Sequence, residues 1–148
     1  MLQYNSYNLS HMQQHSFILV VTPDHATFET FRSLLENGDR RLLHGTSGSA
    51  GLIYAQMEQV HLLVIDQRVS DMKVDEIISE FRRRPDYSGV PVLVMTDQAQ
   101  SAGFIDLQSS GTYDTLSFPI EEDDVLGKVD CYEEMSLLRT QTFRPNPW

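Results

Sequence analysis

The stretch Val60-His61-Leu62-Leu63-Val64-Ile65-Asp66 decides the fold of this chain. Five of the six residues before the aspartate are aliphatic, which is typical of a strand that a parallel sheet buries on both faces. Asp66 then comes out at the carboxyl edge of the sheet, where open α/β folds build their sites. Asp66 is therefore the first candidate for chemistry, although aspartate is also common in ordinary turns after strands.

Outward from this stretch, short apolar runs alternate with segments of helical spacing. Strands are predicted at Phe17-Thr22, Arg41-His44, His61-Asp66, Pro91-Thr96 and Thr115-Phe118. Helical stripes, all assigned to the core, comprise Phe28/Phe31/Leu34/Leu35, Ile53/Met57, Ile77/Ile78/Phe81, the weaker Phe104/Ile105, and a last helix with Val125, Val129, Tyr132 and Leu138. This alternation predicts an α/β fold, a doubly wound five-stranded parallel sheet with helices on both faces.

Composition limits the classes of function. The 148 residues suit one compact domain, and 21 acidic against 11 basic residues give a net charge of −10, which opposes binding to nucleic acid or anionic membranes. The single cysteine allows no internal disulfide, and no stretch approaches a membrane span, so a cytoplasmic setting is predicted. Residues 1–15 are polar and aperiodic and are predicted to be a disordered tail before a domain over residues 16–130.

Four strand ends converge on one edge of the predicted sheet, and here the chain resembles a response-regulator receiver domain. The resemblance covers about residues 16–138. It rests on the order and spacing of four segments, Ile18-Leu19-Val20-Val21, His61-Leu62-Leu63-Val64-Ile65-Asp66, Pro91-Val92-Leu93-Val94-Met95-Thr96 and Phe118-Pro119-Ile120. The resemblance implies that Asp66 is the residue that would accept a phosphoryl group from a histidine kinase, and that Thr96 is the switch hydroxyl.

Other positions depart from the family's pattern. The resemblance implies an acidic pair that holds Mg²⁺ at the end of the first strand, but Thr22 and Pro23 stand there. Phe118 replaces the lysine that would contact the phosphate, and a phenyl ring offers neither charge nor donor. Asp97 adds a charge that would repel a phosphoaspartate, and Thr115 stands where many receivers have an aromatic residue. The sequence therefore predicts a degenerate, pseudo-receiver site with weak Mg²⁺ binding at most.

Several readings of single residues stay open. Asp66 is either a structural acceptor or a working nucleophile, and Thr96 is either a switch hydroxyl or a strand-end hydroxyl bonded to a turn. Thr22 is expected to cap the first helix with Pro23 at its first position, which would point Asp24 away from the site. The histidines lie too far apart along the chain for a zinc site. An Asp-nucleophile phosphatase is disfavoured because Arg68 stands where such enzymes need a second aspartate.

The last predicted helix is longer than one side of a small sheet requires. It runs from Glu121 to Thr140, and its far half, from Cys131 onward, is expected to project from the domain. Tyr132, Met135 and Leu138 form one apolar stripe there, which is typical of a dimer seam or of a connector over residues 131–148.

The combined prediction is a receiver-like signalling module of a two-component or cyclic-nucleotide pathway. It would act by protein contact or homodimerisation, independently of phosphorylation, with a histidine kinase or an output domain as partner. The alternative is a conventional receiver that takes a phosphoryl group on Asp66.

Overall fold

A computed structural model describes residues 16–97 and 111–142 of the chain. The predicted tail over residues 1–15, the weak stripe at Phe104 and Ile105, and the end of the predicted connector lie outside the described residues.

Five parallel strands form one sheet in the order β2-β1-β3-β4-β5. They are β1 (Ser16–Val21), β2 (Arg40–Gly45), β3 (Leu62–Asp66), β4 (Val92–Thr96) and β5 (Asp114–Ser117). Every residue of β3 and β4 is buried, as expected for central strands of aliphatic residues covered on both faces. The predicted fold class is confirmed, and each strand boundary lies within one residue of its prediction.

Four α-helices cover the two faces of the sheet in the described residues. They are α1 (His25–Leu35), α2 (Gly48–Met57), α3 (Val74–Phe81) and α4 (Glu122–Thr142). One core cluster joins α1 and α4 to the sheet, and a second cluster joins α2 and α3 to the opposite face. None of these helices combines the length and the apolar composition that crossing a bilayer requires.

The assignment of Leu138 to the core is wrong, since its side chain is 54% exposed, and so is the assignment of two residues of α2, Ile53 and Met57. Their side chains are 57% and 68% exposed, and α2 instead turns Gly48, Gly51 and Ala55 toward the sheet. A Cβ atom on Gly51 would come within 2.6 Å of Val21 Cγ2, so α2 packs too closely for larger residues on that side. The small residues, not the bulky ones, decide which side of α2 is buried.

The second half of α4 does not project freely from the domain as predicted. Glu133 is buried and pairs with Arg40 at the start of β2, with 2.7 Å between Glu133 Oε1 and Arg40 Nη2. Tyr132 packs against the core and donates a hydrogen bond to Asp114 Oδ2 at 3.0 Å, so it is not part of an exposed stripe. Burial of the hydroxyl is the main cause, and the Asp114 carboxylate the second, that raises the pKa of Tyr132 to about 12. The distant Arg40 allows a charged residue, Glu133, to face inward.

Candidate functional site

The carboxyl edge of the sheet brings the predicted site residues together. Thr22 follows β1, Asp66 ends β3, Thr96 ends β4, and Phe118 follows β5. Parallel register places these ends side by side, with Asp66 opposite Met95 and Thr96 opposite Ser117. Asp66 is completely buried, which is costly for a carboxylate unless its oxygens are bonded.

Hydrogen bonds from within the chain saturate the Asp66 carboxylate. Arg68 binds both oxygens, with its Nη2 2.7 Å from Oδ2 and its Nε 3.0 Å from Oδ1. The Arg68 backbone N–H donates to Oδ1 at 2.8 Å, and the Thr22 hydroxyl donates to Oδ2 at 2.7 Å. A carboxylate offers about four lone-pair positions, and these donors occupy them. Asp66 therefore has its own counter-ion two residues further along the chain.

The Arg68 guanidinium is itself held by several neighbours. Its Nη2 donates to Thr27 Oγ1 at 3.0 Å and lies 3.8 Å from Asp24 Oδ2, and the guanidinium carbon lies 4.6 Å from the centre of the Phe118 ring. A cation over an aromatic face is stabilised by the ring's quadrupole. We call Thr22, Asp24, Thr27, Asp66, Arg68 and Phe118 the Arg68 cluster.

Electrostatics within the Arg68 cluster favour the ionised forms of Arg68 and Asp24. The hydrogen bonds to Asp66 raise the pKa of Arg68, against partial desolvation. The Thr27 hydroxyl, which donates to Asp24 Oδ2 at 2.6 Å, is the main group that lowers the pKa of Asp24, and Arg68 adds to the effect. The cluster therefore keeps one cation between two carboxylates.

The expectations for Thr22, Pro23 and Asp24 are corrected here. The first helix begins at His25 with Asp24 as its N-cap, not with Thr22 as the cap. Thr22 instead uses its hydroxyl for Asp66 and accepts the Asp24 N–H at 3.1 Å. Because this turn brings Asp24 toward Arg68, the Asp24 side chain does not point away from the site. Pro23 is exposed and has no polar group to offer.

Thr96, the candidate switch hydroxyl, is engaged in a second set of contacts. It is buried, and its hydroxyl donates to the side-chain oxygen of Gln67. The Gln67 amide nitrogen then donates to Asp97 Oδ1 at 2.9 Å. Thr115 is buried within β5, and its backbone carbonyl accepts a hydrogen bond from Lys128 Nζ at 2.7 Å. No contact between Thr96 and Asp66 is among the hydrogen bonds of the described residues.

These residues do not fit the Mg²⁺ that the family resemblance implies. Mg²⁺ needs several hard oxygen ligands in near-octahedral geometry. Here the guanidinium of Arg68 occupies the space beside Asp66 and Asp24, and its positive charge repels a divalent ion. Within residues 16–97 and 111–142, no group of three or more histidine, cysteine or acidic side chains could hold a metal.

Sequence reasoning missed two residues of the site, Arg68 and Gln67. Arg68 entered only as an argument against a phosphatase, although an arginine two residues after a strand-end aspartate is within reach of its carboxylate. Gln67 gave no signal, because a glutamine in a loop has no periodic partner.

Comparison with known proteins agrees with this architecture. The family model of the response regulator receiver domain matches residues 18–130, so the chain belongs to this family. Receiver domains are generally not enzymes, and they interact with histidine kinases or output domains in two-component pathways. The sequences of curated proteins include no match to this chain.

Many solved structures share the fold. The receiver domain of a putative LuxO repressor protein from Vibrio parahaemolyticus has a TM-score of 0.77 at 15% identity, covering 88% of this chain and 99% of that one. The chemotaxis protein CheY4 of Vibrio cholerae has a TM-score of 0.74 at 16% identity, covering 80% and 98%.

A third structure contains a metal. It is the receiver domain of the sensor histidine kinase PA1611 from Pseudomonas aeruginosa, with a magnesium ion coordinated in its active-site cleft. Its TM-score is 0.71 at 16% identity, covering 81% of this chain and 98% of that one. At such identities the likeness concerns the fold alone.

Proposed function

We propose that this chain is a phosphorylation-independent receiver domain that signals through protein contact. The observation that carries the proposal is the saturated, fully buried carboxylate of Asp66 with Arg68 across it. Phosphoryl transfer depends on positioning and on charge stabilisation of the transferred oxygens. A nucleophile must also have an accessible lone pair, and Asp66 has none that is free of a donor.

The departures at Thr22, Pro23 and Phe118 support the same proposal. Thr22 and Pro23 supply no carboxylate for a metal, and Phe118 supplies no cation for a phosphate. Instead, Phe118 supports Arg68, whose charge compensates Asp66 within the chain. The domain would hold one state without a metal or a phosphoryl group, in a two-component or cyclic-nucleotide pathway, with a histidine kinase or output domain as its partner.

One observation favours the alternative, a conventional phosphoacceptor. Arginine is an effective ligand for phosphate, and the Arg68 guanidinium lies beside the oxygen that would be modified. If Arg68 moved from the carboxylate to an incoming phosphoryl group, it would supply charge stabilisation without a lysine. The following experiment separates the two functions.

Acetyl phosphate and beryllofluoride, each supplied with Mg²⁺, are expected to leave this protein unmodified. The physical reason is that Arg68 and Thr22 already occupy the oxygens of Asp66. Intact-mass spectrometry measures phosphorylation, and fluorine NMR measures the beryllofluoride adduct. The matched control is Asp66→Asn, which should behave like the wild type in both assays. A stoichiometric adduct that forms on the wild type and disappears in Asp66→Asn would establish the conventional function.

We also propose that the domain forms a homodimer through α4. Met135 and Leu138 are 47% and 54% exposed, and Tyr113, which contacts Tyr132 edge to face, extends this apolar surface. Two copies would meet across a two-fold axis. Burying each such side chain contributes about 1.5–3 kcal/mol at most.

The double substitution Met135→Glu with Leu138→Glu is expected to shift the protein to monomer, because it places carboxylates in the seam of an already acidic chain. Sedimentation velocity at tens of micromolar measures the change. The neighbouring exposed change Glu134→Gln serves as the control and should leave association unaltered. A monomeric wild type would contradict the homodimer. A double variant that dimerises as well as the wild type would show that the seam does not lie at Met135 and Leu138.

A further inference from the structure

A groove lies between α2 and α3, on the face of the sheet opposite α1 and α4. Its volume is about 420 Å³, which accommodates more than one bulky side chain. The lining residues include Leu52, Ile53, Met72, Glu80, Arg84 and Tyr87. No residue of the Arg68 cluster contributes to it. The groove is therefore separate from the carboxyl-edge site.

The floor of the groove is fixed by internal bonds. The Tyr87 ring stacks on Phe81 with 4.4 Å between centroids, and the Tyr87 hydroxyl lies 2.7 Å from the Ala55 carbonyl oxygen. That hydroxyl also accepts the Val60 N–H at 3.1 Å. Arg84 lies over the Tyr87 ring and donates to the same Ala55 carbonyl at 2.8 Å. A preformed floor of this kind lowers the ordering cost of binding.

One wall of the groove continues into exposed apolar surface. Six large apolar side chains are exposed in the described part of the chain, and three of them, Ile53, Tyr54 and Met57, lie on α2. Ile53 lines the groove, and Met57 follows it one helical turn later. Exposed apolar residues that cluster beside a concave surface mark an interaction site more often than scattered ones do.

The opposite side of the groove adjoins an acidic hollow. A second hollow of about 360 Å³ shares Met72 and Glu80 with the groove and is also lined by Asp75 and Glu76. Asp75 has no ion pair within residues 16–97 and 111–142. Glu80 pairs with Arg83 at 3.2 Å, but exposed pairs of this kind are weak.

Among the described residues that line the groove itself, Arg84 is the one cation and Glu80 the one carboxylate, so the lining is balanced in charge. Arg84 is paired with Asp86, whose Oδ2 lies 2.9 Å from Arg84 Nη2. The groove therefore combines an apolar floor and wall with an adjoining hollow whose charged lining residues, Asp75, Glu76 and Glu80, are all acidic.

We propose that the α2–α3 groove docks a basic amphipathic segment of a partner protein. Apolar side chains of the segment would enter the groove beside Leu52 and Ile53, and its lysine or arginine side chains would lie over Asp75 and Glu80. Laying an amphipathic helix into such a groove is a recurrent mode of recognition. The net charge of −10 favours a basic partner. A second copy of this chain that entered this groove would bring its own acidic residues to Asp75, Glu76 and Glu80, so the groove favours a different partner from the α4 seam.

A pair of synthetic amphipathic peptides tests the chemistry of the partner. Both carry leucines at helical spacing, one with lysine and one with glutamate at the polar positions. Methionine-methyl NMR on the full chain gives the readout, because Met72 lines the groove, Met57 lies one helical turn after the groove residue Ile53, and Met135 lies on α4. The basic peptide is expected to shift Met57 and Met72 but not Met135, and to bind at least about tenfold more tightly than the acidic one.

Matched variants locate the binding surface. The exposed changes Ile53→Ser with Met57→Ser should weaken the basic peptide about tenfold. Asp75→Asn with Glu80→Gln should weaken it about threefold and reduce its salt dependence. The control, Glu121→Gln with Glu122→Gln, removes two exposed carboxylates beside the start of α4 and should bind as the wild type does.

Equal binding of both peptides, or equal affinity in the groove variants and the control, would overturn the proposal. If sedimentation velocity instead shows that Ile53→Ser with Met57→Ser dissociates a self-associated chain, the occupant is a second copy and the proposed partner is wrong.

Discussion

Arg68→Ala is expected to destabilise the folded domain by about 2–3 kcal/mol at neutral pH. The substitution leaves the fully buried Asp66 carboxylate with Thr22 and one backbone N–H as donors but without a counter-ion. Removing one partner of a buried ion pair costs about 3–5 kcal/mol, and the lower figure allows for the 45% exposure of the Arg68 side chain. Urea unfolding measures the loss.

Two variants separate charge from geometry in this experiment. Arg68→Lys should recover part of the loss, since an ammonium restores the charge but not the bidentate contact. Arg83→Ala removes an exposed pair with Glu80 and should change the stability by less than about 0.5 kcal/mol. A loss no larger than that of Arg83→Ala would show that Asp66 does not depend on Arg68.

Restoring the residues typical of metal-binding receivers is expected to fail while Arg68 is present. The triple change Thr22→Asp, Pro23→Asp and Phe118→Lys supplies carboxylates and a lysine, yet the guanidinium still occupies the space beside Asp66. Adding Arg68→Ala should then tighten Mg²⁺ binding at least about tenfold, because the ion replaces the lost charge. Calorimetric titration with Mg²⁺, compared between the triple and quadruple variants, measures the difference.

Arg68→Ala alone is the control, and it should bind Mg²⁺ weakly because, among the described residues, Asp24 and Asp66 are the carboxylates that pair with Arg68 and two carboxylates are few for this ion. If the triple variant binds Mg²⁺ as tightly as the quadruple one, Arg68 does not exclude the metal. Both restored proteins should be less stable than the wild type, since replacing the Phe118 ring removes packing against the core.

The sheet could be predicted from the sequence because the runs through Val64 and Val94 are continuous aliphatic segments. Such segments are typical of strands that are covered on both faces. The orientation of α2 could not be predicted from the sequence, because Ile53 and Met57 recur at helical spacing just as buried core residues do. Close packing decided it, since the contact between Gly51 and Val21 leaves room for small residues only.

The candidate site, like the fold, could be predicted from the sequence only in part. The positions of Asp66 and Thr96 follow from strand ends, which the sequence marks clearly. Their hydrogen-bond partners, Arg68 and Gln67, could not be predicted in this way. These residues act through hydrogen bonds and charge, which produce no hydrophobic period in the sequence. The inward turn of Glu133 was missed for a related reason, since its partner Arg40 lies 93 residues earlier in the chain.

The contact between Arg68 and Phe118 joins two positions far apart in sequence into one unit. A lysine in place of Phe118 would set two cations against each other, and a neutral residue in place of Arg68 would leave Asp66 without its counter-ion and Phe118 without its cation. Neither position is therefore free to change alone. An arginine two residues after the β3 carboxylate, together with an aromatic residue directly before the proline that follows β5, forms a two-position sequence signature. We expect this signature to identify, from sequence alone, other receiver domains in which an arginine of the same chain neutralises the aspartate at the end of β3.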